Sequence, residues 1–105
     1  MGKNCTRTGI DVGANNLDYR YIKLPAGTTS LTVTSSGGTG NCDLYFKKDA
    51  WATTTSWTKS ATGPGNNHTI TATGTSIRNG DNYITLYGAT PSGCTGVSLT
   101  TTYTP

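Results

Sequence analysis

The chain of 105 residues has no glutamate, one histidine and only 12% charged residues. So little charge excludes the composition of a disordered, highly charged segment. No apolar stretch approaches the ~18 residues of a membrane span. Nowhere do apolar residues recur at i, i+3, i+4 and i+7, so no helix is predicted. With His68 as the sole histidine and no pair of cysteines at CxxC spacing, the usual zinc-ligand patterns are missing. The net charge of +3 comes from scattered residues, and Lys47-Lys48 is the only adjacent basic pair near aromatics. That is too little for a nucleic-acid footprint. Neither nucleic acid nor membrane is therefore expected as a partner. The start, Met1-Gly2-Lys3-Asn4, lacks the hydrophobic core of a signal peptide. A secreted-type composition with such a start reads as a domain from a longer precursor. Residues 1–8 are taken as a lead-in, with Met1-Gly2 as added residues, and 9–105 as the domain.

What the chain does have is threonine, serine, asparagine and glycine. Threonine-rich, glycine-punctuated chains with few helix formers are typical of all-β domains outside the cell. At this length one domain fits, burying roughly two-thirds of its unfolded surface, with no room for a deep catalytic cavity.

The hydrophobic period is two almost everywhere. Asp18 to Leu24 alternates and stops at Pro25-Ala26-Gly27, a strand and then a turn. Leu31 and Val33 alternate with Thr32 and Thr34, and Leu44 and Phe46 with Tyr45 and Lys47. A shorter strand is predicted around Ile70, from His68 to Ala72. Asn79-Gly80-Asp81 marks a turn before the strand Tyr83 to Tyr87. Val97 and Leu99 continue the alternation to Tyr103, while Thr58 to Asn67 reads as a long loop. Six or more short strands at this spacing predict a single antiparallel β-sandwich, jelly-roll-like, with no helix of note.

Three cysteines leave one over. Cys42 and Cys94 each sit in a glycine-bearing turn beside a predicted strand, and a disulfide between them would close a long loop. In the chain-entropy picture such a loop is worth roughly 4 kcal/mol. Cys5 is then free or pairs outside this chain. Three reduced thiols are the alternative.

Several motifs in order point to a family. Pro25-Ala26-Gly27, Leu31-Thr32-Val33 with its Gly-Gly turn, and Asp43-Leu44-Tyr45-Phe46-Lys47 come first. Thr53-Thr54 with Trp57, Asn66-Asn67, Gly80 to Gly88, and Gly96-Val97-Ser98-Leu99 with Tyr103 follow. From about Gly9 onward the chain resembles the bacterial pre-peptidase C-terminal domain, a family similar to the collagen-binding domains of clostridial collagenases. The resemblance implies a β-sandwich without catalytic function, attached to secreted peptidases, chitinases or other polysaccharide hydrolases. Its implied roles are adhesion to insoluble substrate or help in secretion before removal. Some relatives bind calcium. Here Asp11, Asp18 and Asp43 with Asn15, Asn16 and Asn41 are the oxygen donors on offer, Asp18 and Asp43 the metal candidates, and turn formation is the competing role for them.

No enzyme is expected. A Ser/His/Asp triad would need His68 and a serine with a recognisable elbow, which is absent. His68 is read as a surface residue. Paired carboxylates for glycoside hydrolysis would have to be aspartates, with no apolar pocket among their neighbours.

The aromatics carry the binding hypothesis. Trp51 and Trp57 lie six residues apart. In an extended segment both rings would share one side, roughly 20 Å apart at ~3.3 Å per residue. Two indoles rimmed by Thr, Ser and Asn would suit the pyranose rings of chitin, cellulose or another glucan. The competing reading puts Trp57 in the core and Trp51 over a sheet edge. Tyr83, Thr85 and Tyr87 form a second strip on the outer face of a strand, of the general kind with which the collagen-binding relatives grip their triple helix. Cross-strand support of the sheet would explain the same tyrosines.

The sequence therefore predicts a secreted, extracellular accessory domain of a hydrolase. Through Trp51 and Trp57 it would anchor a tethered catalytic domain to an insoluble polysaccharide. The alternatives are a collagen- or fibrous-protein-binding domain of a peptidase, using Tyr83, Thr85 and Tyr87, and a processing module without a ligand.

Overall fold

The computed structural model describes residues 1–104. Nine strands run in chain order: β1 (Asn4–Val12), β2 (Leu17–Leu24), β3 (Ser30–Ser36), β4 (Thr39–Gly40), β5 (Cys42–Lys47), β6 (Lys59–Ala61), β7 (His68–Thr73), β8 (Gly80–Gly88) and β9 (Cys94–Thr104). They form two antiparallel sheets. The first has the order β1-β9-β3-β7, with the two-residue β4 also on β9. The second has the order β2-β8-β5-β6. A single 3-10 turn, Gly74–Ser76, is the only helical element among the described residues.

The period-two pattern becomes the sandwich directly. Ile22, Leu24, Leu44, Phe46, Ile84 and Leu86 point inward from the second sheet. They meet Ile10, Val12, Leu31, Val33, Ile70, Ala72, Val97 and Leu99 of the first in one buried cluster. At about 25 cal/mol per Å² of apolar surface, this two-layer burial is the main force holding the sheets together. The all-β sandwich expected from the pattern is the fold observed.

Three local expectations are corrected. The lead-in of residues 1–8 is not separate from the sandwich, because β1 pairs with β9 from Asn4↔Thr102 onward. Its alternation was hidden by register shifts on both sides of Ile10, with Gly9 at φ +68, a conformation costly for any residue with a Cβ. The loop from Thr58 to Asn67 contains the short edge strand β6, paired to β5 through Leu44↔Ala61 and Phe46↔Lys59. His68 is buried rather than on the surface, and its Nε2 lies 3.1 Å from the Gly65 carbonyl oxygen.

One end of the sandwich is fixed by polar and covalent ties. Asn66 is buried and uses its whole amide: Oδ1 accepts from the Cys42 N–H at 2.8 Å, and Nδ2 donates to the carbonyls of Gly37 and Thr39 at 3.0 and 3.1 Å. The Ser35 hydroxyl donates to the Asn66 carbonyl at 2.8 Å. The loop before β7 is thereby tied to the Gly-Gly turn and to the start of β5. Beside it, Cys42 and Cys94 form the expected disulfide, joining the two sheets across 52 residues of chain. The backbones close in so tightly there that a Cβ on Gly40 would lie 2.1 Å from the Gly93 carbonyl oxygen. Cys5 is free and half-buried on β1.

Replacing both bridging cysteines, Cys42→Ala with Cys94→Ala, is expected to lower unfolding stability by about 4 kcal/mol through the regained loop entropy of the unfolded chain. Urea unfolding followed by tryptophan fluorescence measures this. A loss below about 1 kcal/mol would show that the bridge is decorative.

Candidate functional site: an aromatic outer sheet face

Strand register arranges the outer face of the second sheet in rows. Leu17, Tyr87 and Asp43 form one row, Tyr19, Thr85 and Tyr45 the next, and Tyr21, Tyr83 and Lys47 the third. Thr85, the small member of the middle row, leaves a trough between tyrosines. The segment that follows β5 folds back into that trough. Ala52 is fully buried there, and the Thr85 hydroxyl donates to its carbonyl at 2.7 Å.

The expected exposed strip of Tyr83, Thr85 and Tyr87 is thus corrected at its centre. Thr85 is wholly buried and cannot touch a ligand. Alternation tells which face a side chain takes, not what covers that face. Tyr83 and Tyr87 remain half-buried, and the Tyr87 hydroxyl donates to Asn15 Oδ1 at 2.8 Å.

The covering segment is not extended, so the straight-strand spacing of the two tryptophans does not hold. A turn closes it, with the Thr53 N–H donating to the Ser56 carbonyl at 2.8 Å and the Ser56 N–H to Thr53 Oγ1 at 3.0 Å. The Lys47 ammonium holds the Ser56 hydroxyl, and the Thr58 N–H returns to the Phe46 carbonyl at 2.7 Å. Both indoles nevertheless end on the outer face. Trp51 lies between Tyr19, at 5.5 Å and 69°, and Tyr83, at 4.5 Å and 56°. Trp57 packs on Tyr45 at 6.4 Å and 44°.

The competing placement of Trp57 in the core fails, since it is 47% exposed; Trp51 is 48%, Tyr19 46% and Tyr21 53% exposed. These four are the exposed large hydrophobic residues among those described, and all four belong to this face or its covering loop. Sequence reasoning missed Tyr19 and Tyr21. Their alternation in β2 was visible, but their neighbourhood with Trp51 depends on where the loop lands.

The metal candidates are not brought together. Asp18 Oδ2 is engaged by Arg20 Nε at 2.7 Å, and Asp43 Oδ1 accepts from the Gly63 N–H at 3.3 Å. Asp18 shares a register position with the buried Leu86, Asp43 with the outward Tyr87, so they stand on opposite faces. Among the described residues no three His, Cys, Asp or Glu side chains gather.

Chemically, the face offers aromatic surface with hydroxyl handles. On this face the Tyr45 phenol is pushed above its ordinary value by burial first and then by the nearby charges of Asp43 and ionised Tyr87.

The fold is a two-sheet sandwich that displays its exposed large aromatics on one sheet and its covering loop. The chain belongs to the bacterial pre-peptidase C-terminal domain family, whose profile matches residues 17–88. The fold is similar to that of the pre-peptidase C-terminal domain of collagenase from Bacillus anthracis, with TM-score 0.70 and 13% identity over 96% of this chain and 90% of that one. It is also similar to PliG of Aeromonas hydrophila, a periplasmic inhibitor of g-type lysozyme, with TM-score 0.72 and 15% identity over 97% of this chain and 87% of that one. No curated protein sequence matches the chain.

Two outcomes are expected. Thr85→Val keeps the shape but removes the donor to the buried Ala52 carbonyl, and should cost about 1–3 kcal/mol. It should also red-shift Trp51 emission as the loop loosens; unchanged stability and emission would show that the loop is held otherwise. For Tyr45, the folded state keeps its proton to higher pH than the unfolded state does. Its contribution is complete below the ordinary tyrosine value of 10.0 and is lost as pH rises above that value through the folded one. Denaturation at graded alkaline pH should therefore show Tyr45→Phe losing less stability above pH 10.0 than the parent chain; parallel losses would contradict the burial effect.

Proposed function

We propose that this chain is a non-catalytic binding domain of a secreted hydrolase, holding its catalytic partner against a fibrous or extended polypeptide through the face of Tyr19, Tyr21, Trp51 and Tyr83. The carrying observation is the exposed cluster in which Trp51 is wedged between Tyr19 and Tyr83 with ring planes tilted by 69° and 56°. A flat polymer face meets several rings at once only where their planes are parallel. Tilted rings form a corrugated surface, which suits side chains and backbone of a polypeptide better than a sheet of stacked sugars. Family membership and the collagenase domain's similar fold support a peptidase context, and the similar lysozyme inhibitor supports protein as a partner class. The disulfide supports an oxidising, secreted setting.

The mechanism is tethering. Binding the polymer raises the effective concentration of the linked catalytic domain at its surface, with no chemistry by this domain.

Polysaccharide anchoring remains as a second reading, favoured by the two half-exposed indoles Trp51 and Trp57 near Thr and Ser hydroxyls. A pyranose can stack on either ring singly.

Sedimentation of the chain with collagen fibrils, gelatin, chitin and cellulose separates the two. Retention on the protein polymers is expected, with Trp51→Ala weakening it by about tenfold or more, as loss of a central aromatic anchor does. Retention on chitin or cellulose alone supports the second reading, and undiminished binding by Trp51→Ala would remove the aromatic face from both. Binding to none would favour a processing module without ligand.

A further inference from the structure

Beside the aromatic face, the two sheets part at the edges of β1 and β2. A notch of about 210 Å³ opens there, lined by Met1, Arg7, Tyr19, Arg20 and Tyr21. Arg7 and Arg20 lie thirteen residues apart in sequence, on edge strands of different sheets. Their convergence is a product of the fold alone.

The charges in the notch do not cancel. Arg20 spends its Nε on Asp18, at 2.7 Å, in the only ion pair among the described residues. Its two terminal nitrogens take no part in that contact. Arg7 is exposed and has no carboxylate partner among the described residues. Two guanidinium groups and the Met1 ammonium, which donates to the Tyr21 carbonyl at 2.9 Å, stand against one carboxylate and leave a net positive charge. Tyr19 and Tyr21 also line it, and Tyr19 touches Trp51. The notch is therefore continuous with the aromatic cluster.

We propose that this notch is a carboxylate subsite, in which Arg7 and the free end of Arg20 receive an aspartate or glutamate side chain of the bound polypeptide. The guanidinium fork matches a carboxylate in a planar, two-point geometry that an ammonium group does not offer. Tyr19 and Tyr21 line the notch but are themselves about half exposed, so the contact forms at a wet rim. The proposal rests on the polypeptide reading above and adds a specificity to it: sequences with an acidic residue next to the segment gripped by Trp51 bind better than neutral ones. Because the charge lies at the rim, it contributes to attraction and register and weakens with added salt.

The test uses the isotope-labelled chain and two short probes, acetyl-Gly-Glu-Gly-amide and its glutamine twin. Side-chain Nε–H resonances of Arg7 and Arg20 report the notch directly. The glutamate probe should shift both in a saturable way, and the glutamine probe should not. Arg7→Gln should weaken the glutamate response about tenfold, the loss expected for one charge-assisted contact. Arg7 is exposed, so this variant should keep the parent's circular dichroism and melting profile; Arg7→Lys, which keeps charge but not the fork, should recover only part of the response. Equal responses to the two probes, or a glutamate response unchanged in Arg7→Gln, would overturn the subsite. Such a result together with intact, Trp51-dependent fibre binding overturns the subsite and leaves the polymer reading standing. A saturable glutamate response in a chain that holds no protein fibre overturns the polymer reading and supports the subsite.

Discussion

The hydrogen bond from the Thr85 hydroxyl to the Ala52 carbonyl, 2.7 Å long and fully buried, is the contact on which the outer sheet face depends. It draws the segment after β5 into a trough that only a short residue at position 85 can leave. Ala52 fills the trough because it too is short. The two tryptophans flanking that segment are then placed by geometry rather than by their own affinity for the core. Trp51 falls between tyrosines of β2 and β8, and Trp57 against a tyrosine of β5. In this way β8 becomes buried on both faces at its middle, with Ile84 and Leu86 beneath and Thr85 above. A strand that would otherwise be half-wet anchors both the core and the aromatic face.

Much of the fold was legible because the sandwich is built from the pattern that sequence displays most openly. Leu31 and Val33, Leu44 and Phe46, Ile84 and Leu86 alternate with polar residues, and each pair lies in the core. What escaped was whatever depends on contacts distant in sequence. β1 carries a mostly polar run broken by Gly9, and only its partner β9 makes it a strand. His68 reads as a surface residue until Asn66 and Ser35 are seen to fold the preceding loop inward. The alternation correctly put Thr85 outside, yet it could not reveal the loop that covers it. Trp51 and Trp57 were legible as unusual, and the tyrosines of β2 that share their face were not.

The division of labour within the molecule explains why its fixed and its exposed parts lie apart. At one end Asn66 ties the Gly-Gly turn to the start of β5 with every polar atom of its buried amide, and the Cys42–Cys94 bridge joins the sheets. Such a network tolerates little change, since each unpaired buried group would cost about 1–3 kcal/mol. The aromatic face lies outside that network, and so does the β1–β2 notch. Residues there answer mainly to what they touch in solution.

That separation bears on what family membership can and cannot say about this chain. A common sandwich supports different roles, so the fold by itself does not select a ligand. In the reading proposed above, selection falls to four exposed large aromatics and, at their margin, the exposed Arg7 and the half-buried Arg20 from different sheets. The aromatics supply contact area without preference for sequence. The arginines supply charge, which discriminates between ligands that offer the same area. A polymer that satisfies both must present an apolar ridge and an acidic group at a set distance. An extended polypeptide does so through neighbouring side chains, while neutral chitin or cellulose offers no acidic group to the arginines. In that proposal the arrangement of the whole face, and not any single tryptophan, is what favours a protein partner.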